Sequence, residues 1–278
     1  MDKVRPLNPM ADIFVRYLLG SEENTDILID FINAVFSQKG HDLVVEIQLL
    51  NPFNLRTIRE SKESILDVKA KDSKNRWINI EIQIAPDASY ANRSLYYWAK
   101  SYAGQLKTGD AYGNLNPAVC INLMDFEIFP QLPGYHSCFQ ITEVDAPEYV
   151  LSEHLQIHFI ELPKNQLDGI RSVKNQLDAW CYYFENEGSK EDNDMTVLLK
   201  DNPAIQKAHK IYHNFTANDE LMDMAEAREK WQRDVDTRLK SAKKEGKKEA
   251  ARKMIDEGFE IEVIARITGL SEEEIRDL

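Results

Sequence analysis

Residues 64–84 carry the pattern that most restricts how this chain can fold. Two apolar runs, Ile65-Leu66-Asp67-Val68 and Trp77 to Ile84, flank the polar segment Lys71 to Arg76 (KDSKNR). This arrangement predicts an antiparallel hairpin, with strands over about Ser64 to Ala70 and Trp77 to Ile84. The second strand alternates. Ile78, Ile80, Ile82 and Ile84 share one face, and Trp77, Asn79, Glu81 and Gln83 share the other. If the turn takes five residues, position 67 falls opposite 81, and cross-strand partners share a face with Cβ atoms about 5 Å apart. Asp67, Glu81 and Gln83 then converge on one side of the sheet, whereas a one-residue slip sends Asp67 to the other side.

Two carboxylates that close repel each other when both are ionised. A hard divalent cation removes the penalty, because Mg²⁺ prefers oxygen ligands and is often held by one or two carboxylates with phosphate and water. Such an ion activates water and offsets the charge that develops on a phosphodiester. The same alternation also describes an ordinary solvated sheet face, and the pattern alone favours that simpler reading. Glu46-Ile47-Gln48 repeats the Glu-x-Gln spacing on the preceding candidate strand, without an acidic partner on a strand before it.

Around the hairpin the chain reads α-α-β-β-β-α-β over its first 125 residues. Asn8-Pro9 predicts a helix start, with Asn8 as cap and Pro9 in the first turn, running to about Leu19 and stopping at Gly20. A second helix spans about Asn24 to Ser37, on the stripe Ile27, Leu28, Phe31, Ile32, Val35 and Phe36. Leu43 to Leu50 reads as the first strand. A helix from about Ala88 to Lys107 places Leu95, Trp98, Tyr102 and Leu106 on its apolar stripe, with Arg93, Tyr97 and Lys100 beside it. Ala118 to Met124 suits a buried strand, and Ser137 to Val144 and Gln156 to Leu162 read as further strands. From about Asn165 the chain looks helical, with a long charged helix over Ala217 to Ala250 and two short helices around Thr268-Gly269-Leu270. The expected division is a core over 1–165, a helical extension over 166–216, and a long charged helix with a short tail over 217–278.

Charge limits what the chain can bind. With 47 acidic and 34 basic side chains its net charge is −13, so as a whole it repels DNA. A nucleic-acid role requires a local basic patch or bound cations. Lys240 to Lys253 holds seven basic and two acidic residues and is the one basic run. The three cysteines, Cys120, Cys138 and Cys181, make no CxxC pair and no disulfide framework. They point to a reducing compartment. MDKVRP lacks the apolar core of a secretory signal, and no stretch reaches the roughly 20 apolar residues of a membrane span. The expectation is a cytoplasmic protein without a membrane partner.

The order Asp67, polar turn, Glu81-Ile82-Gln83 resembles the PD-(D/E)XK nuclease superfamily, and specifically its Rpn family of recombination-promoting nucleases and transposase-like proteins. DIFVRYLLG, ILDVKA, WINIEIQ, Arg93 to Leu123, HFIELPK and the ending GFEIEVIARITGLSEEEI carry the likeness. The resemblance implies an α/β fold: a restriction-endonuclease-like αβββαβ core with additional strands and a helical C-terminal extension. It implies a metal-dependent DNA endonuclease using Mg²⁺, or Mn²⁺ or Ca²⁺, tied to recombination or mobile elements. By position, Asp67 and Glu81 become metal ligands, Asp12 a further acidic residue of the site, and Gln83 stands where many members have lysine. Glutamine orients water but brings no charge, so another cation must supply it; Lys69, Arg93 and Lys100 are the candidates to touch phosphate. Each also has an ordinary surface role, and an acid at position 12 also suits a helix's first turn. Cleavage of both strands implies a homo-oligomer, built through the C-terminal helices. The competing reading is a catalytically inactive DNA-binding or protein-interaction module on the same fold.

Other signals are weaker. His154 and His158, and His209 and His213, have i,i+4 spacing. The first pair runs into a strand, and the second lacks an HExxH glutamate or a cysteine partner. Ser271 and Glu274 predict a capping box. The helix it starts carries Glu272, Glu273, Glu274 and Asp277, which suits protein contact better than base reading.

Overall fold

The computed structural model describes residues 6–54, 68–189 and 193–278. They fall into two compact units, 1–222 and 223–278. The first holds α1 (Asp12–Gly20), α2 (Thr25–Ser37), β1 (Ile47–Leu49), β2 (Val68–Asp72), β3 (Trp77–Gln83), α3 (Tyr90–Ala103), β4 (Ala118–Met124), β5 (His136–Phe139) and β6 (Leu155–Glu161). Then come α4 (Gln176–Asn186), α5 (Asn193–Asp201), α6 (Pro203–Ala217) and the start of α7 (Asp219–Asp256). The expected α-α-β-β-β-α-β order is present. The strands form one sheet in the order β1-β2-β3-β4-β6-β5. β3, β4 and β6 run parallel, and β1, β2 and β5 are antiparallel to their neighbours.

The hairpin turn is built by Asp72. Its Oδ1 accepts from the amides of Lys74 (3.0 Å) and Arg76 (2.8 Å), and its Oδ2 from Arg76 Nε at 2.6 Å. Asn75 takes the left-handed conformation, φ 63°, which asparagine tolerates better than most residues. The ladder runs Val68↔Ile80, Lys69↔Asn79, Ala70↔Ile78, Lys71↔Trp77, in the register the sequence suggests.

Both faces of the sheet are covered, which is why β4 and β6 are buried along their whole length. On one face lie α1, α2, α4 and α6, with Phe31 edge-on to Trp180 and Phe14 edge-on to Tyr212. On the other, α3 lies mainly over β4 and β6. Its seat is partly polar. Tyr90 Oη and Ser94 Oγ each donate to Asn122 Oδ1 at 3.1 Å, and Asn122 Nδ2 donates to the His158 carbonyl at 2.9 Å.

Three local expectations are corrected. Asn8-Pro9 opens a turn rather than the helix: Asn8 Oδ1 takes the Met10 amide (2.8 Å) and its carbonyl takes the Ala11 amide, so α1 starts at Asp12. The first strand shrinks to Ile47–Leu49 because Asn33 of α2 pairs both backbone groups of Val44, at 2.7 and 2.8 Å, as a neighbouring strand would. The buried residues of α3 are Tyr90 and Ser94, while Leu95 is 51% exposed.

In the second unit the end of α7 packs with α8 (Ile261–Thr268) and α9 (Glu272–Arg276) around Ala251, Ile264, Leu270 and Ile275. Gly269, φ 68°, closes α8 in the left-handed conformation, and Ser271 with Glu274 forms the expected capping box. No described helix is long and apolar enough to cross a membrane.

Because Asn122 is fully buried, Asn122→Ala strands two hydroxyl donors and a carbonyl beneath α3. The expected cost is about 2–4 kcal/mol, read as a lower urea midpoint with an unchanged m-value.

Candidate active site

β3 is a central strand, so its polar face is set by its neighbours. Lys69 of β2 is paired with Asn79, and Asn122 of β4 with Glu81. These residues share the face that carries α3. Because α3 lies chiefly over β4 and β6, the described helices leave the β2–β3 edge of this face more open. Accordingly Asn79 is buried, Glu81 and Gln83 are half-buried, and Lys69 is exposed.

Glu81 Oε1 accepts from Asn79 Nδ2 at 2.9 Å. The Asn79 oxygen is buried and meets no hydrogen-bond donor among the described residues. The Glu81 carboxylate is a hard oxygen donor of the kind a divalent cation such as Mg²⁺ prefers, and Asn79 meets it through its amide N–H, not its oxygen. Glu81 also acts on α3. Burial first, and then the Glu81 charge, push the Tyr90 hydroxyl well above its ordinary pKa.

Gln83 is engaged at both ends. Its Oε1 accepts from Arg93 Nη2 at 2.6 Å and its Nε2 donates to the Ala85 carbonyl at 3.0 Å. A primary amide has two N–H donors, so one remains for water. Arg93 is further held by Asp87, at 3.0 Å, and lies over the Tyr90 ring, 4.6 Å from its centroid. Hydrogen bonds from the Ser89 side chain and amide, with a smaller contribution from Arg93, hold the Asp87 carboxyl below its usual range. The guanidinium is therefore fixed against Gln83 rather than free in solvent.

Of the residues singled out from sequence, the structure brings Gln83 and Arg93 into contact and sets Lys69 and Glu81 on one face. Lys100 is exposed, two helical turns beyond Arg93 on α3. Asp12 is half-buried in the first turn of α1, where its Oδ1 accepts from the Ile13 amide at 2.7 Å, and α1 packs against β2 and β3. Asp67 lies outside the described residues. Sequence reasoning put Asn79 on the Glu81 face without giving it a role, and missed Asp87 and Asn122; hydrophobic periodicity gives no signal for which polar partner such a residue takes.

In the second unit, Lys240, Lys243, Lys244 and Lys247 of α7 line a shallow niche with Gly269, Leu270 and Glu274. The acidic residues of α9 are partly neutralised there. Lys244 Nζ meets Glu274 Oε1 at 2.6 Å, and Arg276 meets Glu272 at 2.7 Å. The Lys244 hydrogen bond and the Ser271 amide bring the Glu274 carboxyl down to about 2.

Residues 9–242 match the family model described as PD-(D/E)XK nuclease family transposase. Residues 244–278 match that of the Rpn/YhgA-like nuclease family, C-terminal HTH domain. The second match departs from the expectation of a tail devoted to protein contact. Searches of curated proteins and of solved structures return no match. With a mixed six-stranded sheet, an oxygen-rich site on its central hairpin, and a matched region covering most of the chain, this protein belongs to the PD-(D/E)XK nuclease transposase family.

Proposed function

We propose that this protein is a metal-dependent DNA endonuclease that acts in recombination or on mobile elements, with Mg²⁺ as the working ion and Mn²⁺ as a substitute. The observation that carries the reading is the half-buried Glu81 carboxylate on the polar face of β3, with the Gln83–Arg93 pair two residues further along that face, on a strand whose described ladder runs Val68↔Ile80. The hairpin register expected from the sequence sets Asp67 opposite Glu81, and these two carboxylates are the proposed metal ligands. A bound divalent ion supplies an activated water and neutralises charge on the phosphodiester.

The chain's own residues do the rest. Gln83 uses its remaining N–H to orient the attacking water. Arg93, fixed against Gln83, provides the positive charge that a lysine at 83 would give, and it does so without entering the ligand set. Lys69 and Lys100 contact phosphates flanking the scissile one. Asp12, on α1 over the other face of the sheet, is not part of the proposed ligand set. The helix-turn-helix unit holds DNA through the α7 lysines, whose charge offsets the acidic surface of α9.

Supercoiled-plasmid nicking tests the hydrolytic reading. Wild type with Mg²⁺ or Mn²⁺ nicks, Glu81→Ala and Asp67→Ala lose about 10²–10³-fold in rate, and Arg93→Ala loses a comparable factor. Equal nicking by wild type and Glu81→Ala, or none under any divalent ion, leaves a non-catalytic DNA-binding or interaction module. Replacing Lys240, Lys243 and Lys247 by alanine is expected to weaken DNA binding and flatten its salt dependence in fluorescence anisotropy, with plasmid nicking at low salt retained.

A further inference from the structure

A second constellation lies on the face of the sheet turned away from Glu81. β5 pairs with β6 so that Cys138 stands beside His158 and His136 beside Ile160. The loop after α2 brings His41 to the same place, its amide bonded to the Phe36 carbonyl at 3.1 Å. Cys138 Sγ lies 3.8 Å from His41 Nε2 and 3.8 Å from His158 Nε2. The ligand atoms of the three residues all lie within 4.8 Å of one another.

These separations are long for hydrogen bonds and close to the edges of a metal tetrahedron. Zinc bonds sulfur at about 2.3 Å and imidazole nitrogen at about 2.0–2.1 Å, which gives an S···N edge of about 3.6 Å. The aim of His158 is fixed. It is fully buried, its ring stacks on His136, and its Nδ1 lies 3.0 Å from His136 Nε2. A second-nitrogen bond of this kind sets the tautomer of a ligating histidine.

We propose that His41 Nε2, Cys138 Sγ and His158 Nε2 form a binding site for a borderline-soft divalent cation of the Zn²⁺ class, with His136 as a positioning residue. On binding, the Cys138 thiol proton leaves to solvent as the sulfur–metal bond forms. His158 Nδ1–H then donates to His136 Nε2. His41 and Cys138 are partly exposed, so the fourth position opens to water. Burial lowers the pKa of both ligating imidazoles and so keeps them in the neutral, ligating form. The same burial pushes the thiol up to about 11, a cost the cation must offset. The surrounding charges are mixed: Glu153 and Asp42 favour a cation, while Lys39 and Arg76 oppose it. The site is independent of the proposed hydrolytic one, since it lies on the α2 side of the sheet and uses nitrogen and sulfur instead of oxygen donors. It would tie the loop after α2 to the β5–β6 end of the sheet. The other imidazole cluster, His209 and His213 with Glu187, is already satisfied by a 2.8 Å His209–Glu187 hydrogen bond and serves as a control.

The test uses the full chain, stripped with chelator and kept in excess Mg²⁺. Calorimetry is expected to find one tight Zn²⁺ equivalent, and Co²⁺ to give a thiolate-to-cobalt charge-transfer band. Cys138→Ser removes the band, His136→Asn keeps it while weakening Zn²⁺ by about 10–100-fold, and His209→Ala changes neither. Circular dichroism checks that each variant folds. In wild type, Zn²⁺ slows alkylation of Cys138 mapped by mass spectrometry, a readout that needs no variant. Absence of a tight equivalent, a band that survives Cys138→Ser, or unslowed alkylation overturns the proposal.

Discussion

The register of the β2–β3 hairpin decides what every other part of the molecule can do. Strand side chains alternate, so a slip of one residue would turn Glu81 and Gln83 toward the apolar helical layer and Ile80 toward the open face. The register is held by a small polar device. Asp72 is buried with Arg76, and its carboxylate closes the turn by bonding two backbone amides and the guanidinium. Arg76 also donates to the Asp42 carbonyl at 2.8 Å and lies over the Phe36 ring, so the turn is anchored to the end of α2. An ion pair this enclosed costs desolvation, and what it secures here is one pairing rather than raw stability.

From that register two chemically different faces follow. One is lined by half-buried Glu81 and Gln83, buried Asn79 and exposed Lys69, with α3 displaced toward β4 and β6. The other is apolar beneath α1 and α2 and ends, at the β5–β6 edge, in imidazole and thiol groups. In the proposed mechanism Arg93 answers the difficulty raised by glutamine at position 83. Charge is supplied from a helix rather than from the strand, through a guanidinium held by Asp87, Tyr90 and Gln83 together. The net charge of −13 makes such local cations necessary for any contact with DNA.

Much of this was legible in the sequence because it rests on periodicity. The alternation over Trp77–Gln83, the polar turn and the stripe on α2 each announce their element, and the capping box at Ser271 announces α9. What was not legible depends on side chains that replace backbone or apolar partners. Asn8 serves a turn instead of a helix, Asn33 substitutes for a strand, and Ser94 faces the sheet because Asn122 is there to receive it. The acidic α9 looked unsuited to DNA because Lys244, which neutralises Glu274, lies a helix away. Cys138 and His41 are 97 residues apart in the chain, and only the fold brings them together.

The central claim is that a hard cation is held by the Glu81 carboxylate and by Asp67 on the open face of the hairpin. An anomalous difference map from crystals soaked in Mn²⁺ tests it most directly. The account predicts a peak within bonding distance of both carboxylates, about 2.0–2.6 Å for hard cations with oxygen ligands. A map with no peak on that face, or with manganese bound only elsewhere, contradicts it.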